Sequence, residues 1–162
     1  MNKKILLWTI AVLWMIVIFS LSSQPAEISN ANSKSGTKIL LKATESIYKV
    51  DIDSNTKEAT KLINNANNTL RDYAHTSVFF VLAILVYSAM RNKGGYSIKA
   101  LIFSFLICFI FSILDEIHQI FTPGRGFQVS DLGMDFIGII SGIIIFILAS
   151  RHIKNSIYKN KA

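Results

Sequence analysis

The sequence is short of charge and almost free of cysteine and proline, and each shortage excludes a class of protein. Charged residues make up 17% of the 162 residues and hydrophobic residues 51%, a balance too apolar for a soluble domain of this size. The single cysteine, Cys108, excludes an intrachain disulfide. With two prolines and no low-complexity tract, the chain also lacks the composition of a disordered protein.

The apolar residues are gathered in four long segments. A helix needs about 20 mostly apolar residues to cross the hydrocarbon core of a bilayer. By that length the sequence predicts four transmembrane spans, at about 5–21, 73–90, 100–121 and 131–150. The first segment is longer than the apolar core of a signal peptide, and no good cleavage site follows it, so we interpret it as a retained span. The expected fold is an all-α integral membrane bundle, with one domain over residues 1–162.

Positive charge is distributed unequally between the segments that join the spans. With the N-terminus placed inside, the inner segments hold nine Lys and Arg and no acidic residue. Because short cytoplasmic loops are enriched in Lys and Arg, we expect a multi-pass protein of the cell membrane with both termini cytoplasmic. Membrane topology thus explains the net charge of +7, and we expect the lipid bilayer as a partner and no nucleic acid.

The long outer segment, residues 22–72, is expected to be partly helical. Apolar residues recur at helical spacing in Ile39–Ile47 and again in Ala59–Leu70. These patterns predict two short amphipathic helices that lie on the outer membrane surface. Asp53 or Ser54 is a candidate cap for the second of them.

Ionisable residues inside the spans are the most informative feature of the sequence. The third span ends at Pro123-Gly124, and the fourth is too short to cross unless it begins before Asp135, so both carry charge into the membrane. One layer near the outer face is predicted to contain Arg71, His75, Asp115, Glu116, His118, Gln119, Arg125, Asp131 and Asp135. A charged residue within a span costs about 2.5–3.5 kcal/mol on insertion scales, so these groups are expected to face the bundle interior or a wet cleft.

Helical spacing places the polar and small residues of the last two spans on one face each. On the third span the face consists of Ser104, Cys108, Ser112, Asp115 and Gln119, and on the fourth of Asp131, Asp135, Gly138 and Gly142. Gly138 and Gly142 form a GxxxG pair, which allows another helix to approach closely. We expect two helices packed tightly at mid-membrane and splayed outside around a polar pocket.

The same residues resemble those of the VanZ-like family, named for a protein associated with resistance to the glycopeptide teicoplanin. The matching positions are Glu116, Gln119, Pro123, Arg125, Asp131 and Gly138, in the pattern Asp-Glu-x-His-Gln-x-Phe-x-Pro-Gly-Arg followed by Asp-x-x-x-Asp-x-x-Gly. Gly124 lies within that pattern. The sequence Ser22-Ser23-Gln24 ends the first span, and Arg71-x-x-x-His75 opens the second, as in many members.

The resemblance covers essentially the whole chain. It implies a membrane fold, a location in the Gram-positive cell envelope and a link to glycopeptide or lipoglycopeptide susceptibility, but it implies no reaction. Position 135 departs from the family pattern, since many members have Asn there. A strict requirement for a carboxylate at Asp135 is therefore not implied.

The preferred function is an envelope protein whose outer pocket binds a surface ligand. A lipid-linked cell-wall precursor, a phospholipid headgroup and the glycopeptide antibiotic itself are the candidates. In this hypothesis Arg71 and Arg125 bind a phosphate or a carboxylate of the ligand.

Three alternatives remain open on the sequence. One is a membrane-embedded hydrolase or transferase acting on lipid-linked envelope substrates, metal-dependent or not, with His118 as a general base. No HExxH or similar ligand spacing is present, so neither a metal nor another cofactor is assigned. A small transporter is the second. The third is a purely structural layer, in which Arg125 neutralises Glu116 or Asp72. Catalytic residues and the oligomeric state are left undetermined.

Overall fold

The structure, a computed structural model, describes residues 2–43, 56–91 and 97–159. Within these ranges the chain forms five α-helices and no strand. The helices are α1 (Lys3–Ser22), α2 (Ala26–Ala43), α3 (Lys57–Met90), α4 (Ile98–Gln119) and α5 (Val129–Lys159). Four of them, α1, α3, α4 and α5, are long and apolar enough to cross a membrane. The predicted all-α bundle with four spans is thus confirmed.

The longest helix, α3, joins two segments that the sequence predicted as separate elements. It has 34 residues, about 51 Å at 1.5 Å per residue, and its first half is the Ala59–Leu70 pattern. The prediction of a separate surface helix there is therefore wrong, because neither glycine nor proline interrupts the helix before the span. The N-cap is Thr56, whose Oγ1 accepts a hydrogen bond from the backbone N–H of Ala59 at 3.2 Å. The predicted caps, Asp53 and Ser54, lie outside the described residues.

Helix α2 packs against this first half of α3. Leu41 and Ile63 are buried between the two helices. Beside them Ser33 Oγ donates a hydrogen bond to Asn67 Oδ1 at 2.5 Å, and Asn67 is buried. An apolar contact and a buried hydrogen bond therefore hold α2 on the bundle. The remainder of the first predicted amphipathic pattern, from residue 44 to 47, lies outside the described residues.

The closest helix packing in the bundle is between α3 and α5, at the glycines of the GxxxG pair. A Cβ added at Gly138 would overlap the carbonyl oxygen of Thr76, and one added at Gly142 would lie 2.5 Å from the carbonyl oxygen of Phe80. Neither position has room for a side chain, so the two backbones are in direct contact. The sequence alone does not identify the helix that packs on these two glycines, and the structure shows that it is α3, the second span.

The one-faced pattern of α4 is confirmed by burial. The predicted polar face, Ser104, Cys108, Ser112, Asp115 and Gln119, is buried. On the opposite side the large apolar residues are exposed, at Ile102, Leu106, Ile110, Leu114 and Ile117. Helix α4 thus turns its apolar surface outward, where lipid would contact it, and its polar residues into the bundle.

Contacts between the ends of the helices define one end of the bundle. There α1 and α4 end, α5 begins, and α2 packs on α3. We call it the α2 end. The ionisable residues that the sequence singled out are all found at the α2 end of the spans or in the loop beside it.

Candidate functional site

Four carboxylates from two helices are buried at the α2 end. Asp115 and Glu116 of α4 and Asp131 and Asp135 of α5 are no more than 7% exposed. This agrees with the expectation that charged groups in the spans face the interior. Each carboxylate has its own set of partners, and these partners determine what remains available to a ligand.

Asp131 and Asp135 lie beside His75 of α3. His75 Nδ1 is 3.5 Å from Asp135 Oδ1, and His75 Nε2 is 4.0 Å from Asp131 Oδ2. The other oxygen of Asp135 accepts a hydrogen bond of 2.6 Å from Ser112 Oγ. The contact follows from the GxxxG packing, because His75 precedes the Thr76 carbonyl on which Gly138 rests. A protonated imidazole at this position would be paired with two carboxylates.

Asp115 connects α4 to the end of α1. Its Oδ2 accepts a hydrogen bond of 2.6 Å from Ser22 Oγ and a longer one of 3.4 Å from Gln119 Nε2. Its Oδ1 is buried and has no hydrogen-bond partner. Because buried polar atoms are normally hydrogen-bonded, this oxygen is available to a group that enters the site.

His118 is separated from these carboxylates and contacts α1 instead. Its Nε2 lies 3.0 Å from Ser23 Oγ, and its ring stacks on Phe19 with the ring centroids 4.0 Å apart. The Ser-Ser-Gln sequence thus supplies two of the contacts between α1 and α4, through Ser22 and Ser23. Gln24 lies in the turn between α1 and α2, where its backbone N–H donates to the carbonyl oxygen of Leu21.

Glu116, Gln119 and Arg125 form a hydrogen-bonded chain. Arg125 Nη1 donates to Gln119 Oε1 at 3.3 Å, and Gln119 Nε2 donates to Glu116 Oε1 at 3.1 Å. The second oxygen of Glu116 accepts the backbone N–H of Gln128 at 2.9 Å, a partner that side-chain types could not reveal. Gln119 therefore stands between Glu116 and Arg125, where the structural alternative had a direct ion pair.

The loop that carries Arg125 is held against α2. The carbonyl oxygen of Pro123 accepts the backbone N–H of Ala26 at 3.1 Å, which joins the loop to the first residue of α2. Gly124 follows with a φ of 75°, a left-handed conformation that favours glycine. This turn directs the chain back over the end of the bundle and positions Arg125 beside α3.

These groups surround a cavity of about 260 Å³ at the α2 end. Residues from α1, α2, α3, α4 and the loop line it: Ile18, Leu21, Ser22, Ser29, Ser33, Leu70, Arg71, Ala74, His75, Val78, Asp115 and Arg125. Four of the nine predicted pocket residues are thus lining residues. The other predicted residues do not line the cavity. Gln119 contacts Arg125, and Asp131 and Asp135 lie beside His75. Glu116 contacts Gln119, and His118 contacts α1 instead. Ser29 and Ser33 were missed because serines in a polar helix are not a distinctive signal.

Among the described residues, the two arginines of the cavity form no ion pair with a carboxylate. In the described part of the chain no carboxylate oxygen lies within 4 Å of either guanidinium group, and Arg71 Nη1 donates only to Asn30 Oδ1, at 3.4 Å. Arg125 Nε is buried with no hydrogen-bond partner. Burial, and after it the neighbouring charge of Arg71, lowers the pKa of the Arg125 guanidinium. Three nearby carboxylates, Asp115, Asp131 and Glu116, act in the opposite direction. The cavity therefore combines two cations that form no direct ion pair within the described residues with an unused donor.

The same residues offer no ready ligand set for a metal ion. Among the residues that the structure describes, no three His, Cys, Asp or Glu side chains come together as a metal site would require.

Comparison with known proteins supports the resemblance seen in the sequence. A family model described as VanZ/LLP1 matches residues 7–150, a range that includes nearly all of the four spans and every residue of the cavity. Neither the curated proteins nor the solved structures give a match. A match over most of the chain, together with the four long apolar helices, shows that this multi-pass membrane protein belongs to the VanZ/LLP1 family.

Proposed function

We propose that this is a cell-envelope protein whose cavity opens at the outer face of the membrane and binds the phosphate or carboxylate of a surface ligand. Binding there is proposed to lower susceptibility to teicoplanin, the property for which the family is named. The observation that carries the proposal is the pair Arg71 and Arg125, which line the cavity with no carboxylate within 4 Å in the described residues.

The energetics of the pair favour an anionic ligand. A buried hydrogen-bond donor without a partner costs about 1–3 kcal/mol, which applies to Arg125 Nε. Two neighbouring cations also repel each other. An oxyanion between them removes both penalties, because guanidinium groups bind phosphate and carboxylate through paired N–H donors.

The distribution of charge supports the outward orientation of the α2 end. In the sequence, the segments predicted to lie on the opposite side hold nine Lys and Arg and no acidic residue, as cytoplasmic segments do. A lipid-linked cell-wall precursor, a phospholipid headgroup and teicoplanin each present an anionic group at the outer face. All three are therefore candidate ligands.

A hydrolase or transferase acting on lipid-linked substrates is the second candidate, favoured by one observation. Asp115 Oδ1 is unpartnered, and Asp115 lines the cavity together with His75. A carboxyl group and an imidazole beside a bound phosphate are a possible acid–base pair. In this version His75, and not His118, is the histidine to test, by following the release of product from a lipid-linked precursor.

Teicoplanin susceptibility of a Gram-positive host that expresses the protein tests the first proposal. Arg125→Gln removes one cation from the cavity and is expected to abolish the protection given by the intact protein. Lys61→Gln, on the exposed surface of α3, removes the same charge outside the cavity and is the matched control. If Arg125→Gln protects the host against teicoplanin as well as Lys61→Gln does at equal membrane abundance, the cavity is not required for protection.

A further inference from the structure

The cavity is polar on one side and apolar on the other. Its polar side holds the two arginines, serines of α1 and α2, and the side chains of His75 and Asp115. The opposite wall consists of Ile18, Leu21, Leu70, Ala74 and Val78, contributed by the last turns of α1 and by the middle of α3. A site for a small soluble anion has no need of a continuous apolar wall that runs into the spans.

The apolar wall also forms the mouth of the cavity. Leu21 is 51% exposed and Leu70 36%, and Ala74 is exposed beside them. Further into the bundle the seam between α1 and α3 is closed, because Trp14 Nε1 donates a hydrogen bond of 2.9 Å to the carbonyl oxygen of Val78. The exposed apolar residues thus lie on the side of the cavity between α1 and α3, where acyl chains would contact them if these helices span a bilayer.

Helix α2 covers one side of the cavity at the α2 end. Ser29 and Ser33 of α2 line it, and the hydrogen bond from Ser33 to Asn67 holds that side of α2 on α3. A ligand that arrives from the aqueous phase therefore meets α2, whereas one that arrives within the bilayer meets the apolar mouth.

We propose that the occupant of the cavity is a lipid phosphate, with its phosphate between Arg71 and Arg125 and its chain along the apolar wall into the bilayer. This inference rests on the proposed anion-binding function and adds the class of ligand. A phosphate offers several oxygens and up to two negative charges to the two guanidinium groups. The acyl chain would fill the apolar side of the cavity, which a free headgroup would leave to water.

Trp14 is a natural reporter for such a chain, since it is hydrogen-bonded at the inner end of the apolar wall. The protein has two tryptophans, so Trp8→Phe leaves Trp14 as the single tryptophan fluorophore. This variant is placed in phosphatidylcholine nanodiscs that contain a low and equal fraction of brominated-chain phosphatidic acid or brominated-chain phosphatidylcholine. Bromine quenches tryptophan only at short range. We expect phosphatidic acid to quench Trp14 more strongly, and unbrominated phosphatidic acid to reverse the difference.

Two substitutions separate the roles of head and chain. Arg125→Gln is expected to weaken the apparent affinity for phosphatidic acid at least about tenfold, as the loss of a hydrogen bond to a charged group does. Ala74→Phe fills the mouth from an exposed position, where a larger side chain does not disturb the core, and is expected to abolish the extra quenching. Lys61→Gln should leave it unchanged, which excludes general attraction of anionic lipid to basic residues.

Glycerol phosphate distinguishes failure of this inference from failure of the proposed function. Its binding is measured in detergent as an Arg125-dependent rise in thermal stability. If glycerol phosphate stabilises the protein while phosphatidic acid quenches no more than phosphatidylcholine, the lipid assignment is overturned and anion binding stands. The same holds if glycerol phosphate reverses the quenching at the concentration at which phosphatidic acid does. If neither phosphate has an Arg125-dependent effect, both proposals are overturned.

Discussion

Replacement of Gly138 by alanine tests whether the α3–α5 contact organises the site. The added Cβ would overlap the carbonyl oxygen of Thr76, and that oxygen belongs to the backbone of a helix. It cannot rotate away as a side chain would, so the helices themselves must separate. Overpacking of a core costs about 1–3 kcal/mol, and we expect Gly138→Ala to fall at the upper end of that range.

Gly133→Ala is the matched control for this prediction. Gly133 lies on the same helix, a little over one turn closer to the start of α5, and a Cβ there meets no atom within 4 Å. It should leave the protein as stable as the parent or more stable by up to about 1 kcal/mol, because alanine has a higher helix propensity than glycine. The free energy of unfolding is measured in mixed micelles by titration with a denaturing detergent.

A second substitution at the same contact makes the test more stringent. A Cβ at Gly142 would lie 2.5 Å from the Phe80 carbonyl oxygen, so Gly142→Ala should also destabilise the bundle. Once one alanine has separated the helices, the other finds room, and the double variant should lose less than the sum of the single losses. If Gly138→Ala is as stable as Gly133→Ala, the close approach of the two backbones is refuted, and with it our explanation of how His75 meets Asp131 and Asp135.

Two further outcomes are expected. Ser112→Ala removes the hydroxyl that donates to the buried Asp135 carboxylate and should destabilise the protein by about 1–3 kcal/mol. Its control is Ser104→Ala, on the same face of α4, which removes a hydroxyl without a hydrogen-bond partner and should not destabilise the protein. The same unfolding titration compares the two variants, and equal losses of stability would contradict the assigned hydrogen bond. In a cysteine-free background, Lys38→Cys should react with a membrane-impermeant thiol reagent in intact cells and Lys99→Cys should not; the reverse result would invert the proposed orientation.

The spans could be predicted from the sequence because span length is a local property. A run of apolar residues long enough to cross the bilayer has few alternatives, and four such runs gave four helices. The continuity of α3 could not be predicted in the same way. The change from an amphipathic to an apolar pattern near Arg71 indicates a boundary between two elements when only the sequence is considered. A change in the environment of a helix does not interrupt its backbone hydrogen bonds.

The residues of the site were predictable, but their pairing was not. Carboxylates within spans are costly, which drew attention to Asp115, Glu116, Asp131 and Asp135. Which partner each carboxylate meets depends on the register between helices, and this is set by the contact of the Gly138 region with α3. No property of the individual residues contains that information.

The pairing that the structure does show bears on the purely structural alternative. A fold that used its arginines only to neutralise buried carboxylates had four carboxylates available at the α2 end. Instead, hydroxyl, amide, backbone N–H and imidazole groups are the neighbours of those carboxylates, and Gln119 separates Glu116 from Arg125. Among the described residues neither arginine is therefore held in an ion pair, although Asp115 lines the same cavity. An unpaired buried cation costs free energy, and the anion proposed to bind between Arg71 and Arg125 would offset that cost.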